Sequence, residues 1–146
     1  MANEQFKGSM LPPSLNVIEM RTGGSSPTCT YGSFQQRDTT NHGVKNAASA
    51  TDCVGIWMSA TSTTADATGL LATGGVWKTT GTAGKSLEPG DVFYIGSATT
   101  VTTGGTHATT KSQGLICEST TASGATALYI LLIPSQVYTA STYSSS

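Results

Sequence analysis

Charge is scarce in this chain. Only 10% of its 146 residues are Asp, Glu, Lys or Arg, and the formal net charge is −1. The seven cations, Lys7, Arg21, Arg37, Lys45, Lys78, Lys85 and Lys111, stand singly, and no charged residue follows Glu118. A protein that grips a nucleic-acid backbone needs clustered cations to displace counterions, so no nucleic-acid partner is expected. Long apolar runs are missing too. No stretch approaches the ~18 apolar residues that cross a bilayer, and Met1-Ala2-Asn3-Glu4-Gln5-Phe6-Lys7 lacks the apolar block of a signal peptide. No membrane partner is expected, and the chain reads as one made and assembled in a cytoplasm. Cysteine is sparse and odd in number: Cys29, Cys53 and Cys117 are widely spaced. Complete pairing is excluded, and Cys53 and Cys117, each beside a strand-like run, are expected to be buried free thiols.

Hydroxyl side chains are abundant instead. Ser and Thr make up 44 of the 146 residues, and Thr-Thr pairs recur at 39–40, 63–64, 79–80, 99–100, 102–103, 109–110 and 120–121. Threonine is stiff at χ1 and suits a pleated surface with its hydroxyl in water. With 17 glycines and few helical runs, the composition points to an all-β chain with many turns. Disorder is the competing reading, because Leu, Ile, Val and Phe total only 25. Disorder ordinarily accompanies high net charge, which is absent here.

The length suits one domain. Residues 1–14 read as an extended arm, since Leu11-Pro12-Pro13 favours a polyproline-like path and no period is present. A single β domain is expected over 15–140, with a short tail at 141–146. Residues 15–20 read as a strand closed at Gly23-Gly24. Residues 25–50 are polar, with Tyr31 and Phe34 as anchors of a long loop or a short edge hairpin. Further strands are expected at 53–59, 69–72 and 76–79, the last two joined as a hairpin at Gly74-Gly75. Glu88-Pro89-Gly90-Asp91 fits a type II turn, with Pro presetting φ and Gly accepting positive φ. It leads into a strand at 92–95, followed by strands at 114–118 and 127–133. The unbroken apolar run of the last implies burial on both faces, or on one face plus a subunit contact. Residues 54–61 parallel 113–120, and 68–71 parallel 126–129, as in a faint duplication of a hairpin unit. Two such units make a small antiparallel β-barrel or β-sandwich.

Catalytic motifs do not assemble. Gly81-Thr82-Ala83-Gly84-Lys85-Ser86 ends like a phosphate loop, but Thr79 stands where that loop needs its first glycine, and Pro89-Gly90 precludes the helix that must follow. Glu88 and Asp91 are the only close carboxylates, and both flank a turn. His42 and His107 have no ligand partner at metal spacing, and no Gly-x-Ser-x-Gly elbow occurs. The chain is therefore read as non-enzymatic, without cofactor or metal. Among the strand aromatics, Trp57 is expected in the core and Trp77 as an exposed anchor in a subunit interface. The arm carries Phe6, Met10, Leu11, Pro12 and Pro13, which cannot bury themselves within an extended segment. These residues suit an arm that orders on a neighbouring subunit or scaffold; a frayed terminus is the plainer alternative.

The phrases at 83–95 (Ala-Gly-Lys-Ser-Leu-Glu-Pro-Gly-Asp-Val-Phe-Tyr-Ile), 114–117 (Gly-Leu-Ile-Cys) and 125–130 (Ala-Thr-Ala-Leu-Tyr-Ile) resemble those of capsid decoration, or cement, proteins of tailed bacteriophages. The resemblance covers about residues 50–134. It departs from the family's pattern at the bulkier Trp57-Met58 and Ile116-Cys117-Glu118, and in long Thr-rich loops. It implies a β-barrel or β-sandwich subunit, usually a homotrimer, on the exterior of a matured virion capsid. There it would clamp the major capsid protein at three-fold positions, using many weak contacts repeated by symmetry. A receptor- or glycan-binding module of a viral fibre is the alternative, using exposed Trp and Tyr.

Overall fold

A computed structural model describes residues 17–39, 43–49, 51–83, 85–103, 113–119 and 127–133. The expected arm (1–14) and tail (141–146) lie outside the described residues. The fold is all-β, with ten strands and no helix among the described residues: β1 Val17–Arg21, β2 Phe34–Arg37, β3 Val44–Asn46, β4 Gly55–Trp57, β5 Thr68–Ala72, β6 Gly75–Gly81, β7 Val92–Ile95, β8 Thr100–Thr102, β9 Gly114–Ser119 and β10 Ala127–Leu132. The first five form one sheet in the order β1-β5-β4-β2-β3, and the last five close a barrel in the order β10-β6-β8-β7-β9. Most pairings are antiparallel. The barrel is closed by a short parallel contact, Thr80 opposite Thr100 and Gly81 opposite Val101.

The two halves share one topology. Corresponding strands are β1 with β6, β2 with β7, β3 with β8, β4 with β9, and β5 with β10, in the same neighbour order. Even the closing contact recurs, as an isolated parallel bridge from Thr22 to Val44 that nearly closes the first sheet. Hydrogen bonds repeat with it. Gly23 N–H donates to Val44 O and Thr82 N–H to Val101 O, both at 2.8 Å. Trp57 N–H donates to Ser33 O at 3.0 Å, and Ile116 N–H to Asp91 O at 2.8 Å. The turn at Glu88–Asp91 closes through Asp91 N–H to Glu88 O at 3.0 Å with Gly90 at φ 94°, as the type II reading requires. Its counterpart, Thr30-Tyr31-Gly32-Ser33, closes through Ser33 N–H to Thr30 O at the same 3.0 Å. The duplication expected for one hairpin therefore extends over all ten strands.

Two expectations about connections change. Residues 25–50 contain the hairpin β2–β3; β3 is an edge strand, but β2 lies inside the sheet between β4 and β3. Gly74-Gly75 is not a hairpin turn. β5 and β6 belong to different sheets, and these glycines carry the chain from the first half into the second. Two short apolar strands flanking Gly-Gly look alike in sequence whether they pair with each other or with distant strands.

Alternation sorts the side chains of the second half. Trp77, Phe93, Ile95, Val101, Ile116, Leu128, Ile130 and Leu132 are buried inside the barrel with Leu87. On β10 only one face is fully buried, because Ala127, Tyr129 and Leu131 alternate with the core residues and remain half-exposed. The first half has a small interior of its own, Cys29, Val44, Trp57 and Leu71. Phe34, Ile56 and Ala72, on the opposite face of that sheet, join the core of the second half, with the Phe34 and Phe93 rings 6.4 Å apart.

β4 and β9 each begin at a glycine pressed onto the neighbouring strand. A Cβ on Gly55 would strike the Ala72 carbonyl oxygen, and one on Gly114 the Leu131 carbonyl oxygen, with Gly114 also at φ 144°. At Gly90 a Cβ would meet open space. Gly114→Ala should therefore cost roughly 3 kcal/mol or more in urea unfolding, combining backbone strain with a collision. Gly90→Ala should cost only about 1–2 kcal/mol, from its positive φ alone. Equal costs would contradict the described packing at Gly114.

Candidate interaction surfaces

Trp77 is not an exposed anchor. Its side chain is fully buried in the barrel, and its indole N–H donates to Gly74 O at 2.8 Å. The alternation of β6 sends Val76 and Lys78 outward and Trp77 inward, a phase that the residues of β6 alone do not set. Trp57 meets its expectation: it is buried in the first half, with its indole N–H donated to Ala60 O at 3.0 Å. Each indole satisfies its one donor on a backbone carbonyl within its own connection, as buried tryptophan requires. The remaining candidates, Phe6, Met10, Leu11, Pro12 and Pro13, lie outside the described residues.

The residues with apparent chemistry are engaged in turns. Asp91 accepts the Glu88 N–H on its carboxylate at 3.1 Å, and Ser86 Oγ lies 3.3 Å from Glu88 Oε1. Lys85 is exposed, and its N–H donates to Thr82 O at 3.3 Å. These contacts describe a capped type II turn on the approach to β7. No group of three or more His, Cys, Asp or Glu is placed to hold a metal ion among the described residues; His42 and His107 fall outside them.

A shallow cleft of about 220 Å³ lies between the Tyr31-Gly32 turn of the first half and the outer side of β6, lined also by Lys78, Thr80, Thr99 and Ala127. It offers an exposed phenol and threonine hydroxyls, a set that can hydrogen-bond a polyol. Sequence reasoning singled out Tyr31 without its cleft, because Lys78 and Thr99 reach it only through the docking of the two halves.

All three cysteines are free. Cys29 and Cys53 are buried, and burial pushes their thiols up to about 11 and about 12; the Asp38 charge adds to the rise at Cys29. Cys117 departs from its expected burial and is exposed. Alternation from the buried Ile116 turns Cys117 outward, and a bulge against Tyr129 and Ile130 lets Glu118 follow it to the surface. Residual burial still raises its thiol, partly offset by a backbone hydrogen bond from Leu131.

Trp77→Ala should destabilise the folded chain by about 3–5 kcal/mol in urea, the cost of a large core truncation. An unchanged unfolding midpoint would restore the surface reading. In Cys117→Ser, a thiol reagent at pH 8 should find no reactive cysteine until denaturant is added and then two, because the thiolate is the nucleophile. The two buried thiols stay protonated while their unfolded counterparts ionise, so stability should fall as pH rises from about 9 toward 12. Rapid labelling in the native state would contradict their burial.

Comparisons with family models and with curated proteins return no match to this chain.

Proposed function

We propose that this chain is a capsid decoration protein of the tailed-bacteriophage type. In this reading it is a non-enzymatic structural protein that binds the outer surface of a matured capsid at three-fold positions, as a homotrimer, through the major capsid protein. One observation supports it above the others. The described parts of the three phrases contribute to β7, β9 and β10, consecutive neighbours in one closed barrel, with the Glu88–Asp91 turn leading into the first. Motifs far apart in sequence thus lie on neighbouring strands, which supports reading them together. The physics of the role is also met cheaply. Cementing a shell needs a stiff body and repeated weak contacts, and the closed barrel of the second half has no strand edge to pair wrongly. A surface poor in charge and rich in hydroxyl groups stays hydrated without drawing in nucleic acid.

A second reading, a glycan- or receptor-binding module of a viral fibre, draws on the Tyr31 cleft. An exposed aromatic beside threonine hydroxyls is a fair match to a sugar ring, which stacks on one face and hydrogen-bonds at its rim.

Co-sedimentation separates the two. The purified protein should pellet with expanded empty capsids and remain in the supernatant with unexpanded ones, and removal of residues 1–14 should abolish pelleting with the far-UV circular dichroism unchanged. Failure to bind either shell, with binding on a glycan array that Tyr31→Ala removes, would overturn the decoration reading in favour of the fibre module. Undiminished binding without residues 1–14 would refute the arm.

A further inference from the structure

Tyr31 is the one exposed aromatic side chain among the described residues, yet the turn that carries it is held at every backbone N–H. Thr30 donates to Asn46 Oδ1 at 2.9 Å, Tyr31 to Thr61 Oγ1 at 3.1 Å, and Gly32 to Trp57 O at 2.8 Å. Ser33 donates to Thr30 O, and Phe34 crosses to Ala98 O. Asn46 also donates from Nδ2 to Thr30 Oγ1 at 2.8 Å and accepts from the buried Gln35 Nε2 at 2.9 Å. A ring on a backbone fixed in advance loses little freedom when a ligand arrives.

The facing wall of the cleft is fixed as well. β6 supplies Lys78, Thr79 and Thr80, and Thr99 stands on the turn into β8. In that turn the Gly96 and Ser97 N–H groups both donate to Thr100 O, and Thr99 N–H donates to Ser97 Oγ. Thr79 Oγ1 lies 3.3 Å from Thr99 O, and the bond from Phe34 to Ala98 ties the two walls together. Thr80 and Thr99 are exposed, so their hydroxyls face solvent or a ligand.

No carboxylate lines the cleft among the described residues, so a cationic ligand meets no counter-charge, and Lys78 already has a partner of its own. What remains is one aromatic face beside hydroxyls that both donate and accept. A neutral sugar is the complement. Its ring C–H groups carry the slight positive charge that an aromatic face attracts, and its hydroxyls donate and accept in turn. The cleft, about 220 Å³, is smaller than the ~300 Å³ at which drug-sized sites begin, which suits one ring rather than a chain of them.

We infer that this cleft binds a single neutral hexopyranose with an uninterrupted C–H face, as in a β-galactoside, stacked on Tyr31 and hydrogen-bonded by Thr80 and Thr99. The inference rests on the cleft that the second reading of the function draws on, but it needs no fibre, because a decoration protein would carry the same chemistry. Tyr31 comes from the first half and the threonine wall from the second, so the ligand spans their seam.

Saturation-transfer NMR on the full chain tests it. The probe is methyl β-D-galactopyranoside, whose axial hydroxyl leaves three ring C–H bonds together on one face. Those three protons should receive more saturation than the methyl group. Tyr31→Ala should weaken binding roughly tenfold, the worth of one aromatic contact, with unchanged circular dichroism. Tyr31→Phe, which keeps the ring, should bind nearly as well as wild type. Thr99→Val, which keeps the shape and loses the hydroxyl, should bind several times more weakly, and it carries the expectation should Tyr31→Ala fail to fold. No transfer to the galactoside, transfer confined to its methyl group, or transfer that folded Tyr31→Ala leaves undiminished overturns the site. Capsid co-sedimentation decides the decoration reading separately: a chain that pellets with shells but takes no sugar loses the cleft alone, and one that takes sugar but does not pellet loses the shell alone.

Discussion

The seam between the two halves governs the rest of this structure. Phe34, Ile56 and Ala72 leave the face of the first sheet and complete the core of the second half, where Phe34 meets Phe93. Burial of the two larger side chains contributes roughly 1.5–3 kcal/mol each. Polar groups fix the seam's position. The Gln113 side-chain carbonyl accepts the Cys53 N–H at 3.0 Å, while its backbone N–H donates to Phe93 O and its carbonyl accepts the Ile133 N–H. Phe34 N–H crosses to Ala98 O at 2.8 Å. Gln113 is fully buried, and a buried amide with its groups engaged specifies one docking geometry where apolar contact alone would permit several.

This seam explains why the first half can have so thin an interior. Its own cluster comprises Cys29, Val44, Trp57 and Leu71, and the position equivalent to Phe93 is Gln35, a buried polar residue that donates to Ser33 O and Asn46 Oδ1. A sheet enclosing so little apolar volume is marginal by itself. The second half has a fuller core, lined by Trp77, Phe93, Ile116, Leu128 and Ile130, and it lends the first a surface to bury against. The halves share a topology but divide the work: one supplies the rigid barrel, the other caps it and frames the Tyr31 cleft.

Much of this organisation is legible in the residues. Alternation and β-branching marked β7, β9 and β10 to within a residue or so, and Pro89-Gly90 fixed the turn before β7, because Pro and Gly dictate backbone angles locally. The Val54–Thr61 and Gln113–Thr120 likeness pointed to a repeated unit, and both segments do open paired strands, β4 with β5 and β9 with β10. The rest of the duplication was hidden. Thr30-Tyr31-Gly32-Ser33 makes the same turn as Glu88-Pro89-Gly90-Asp91 without its proline, and Gln35 and Phe93 hold equivalent positions with nothing in common. Backbone hydrogen bonds can preserve a topology while the side chains diverge.

What the sequence determined by itself was local: strand against turn, an all-β class, a hydroxyl-rich exterior, and the Pro89-Gly90 turn before β7. A period of two declares that a strand has two faces, but not which face turns inward. Only tertiary pairing settled that Trp77 faces the core, that Cys117 faces out, and that Gly74-Gly75 joins two sheets and not two partners. Those choices depend on which distant strands meet, and each meeting is decided by total burial across the whole chain, a sum that no single segment carries.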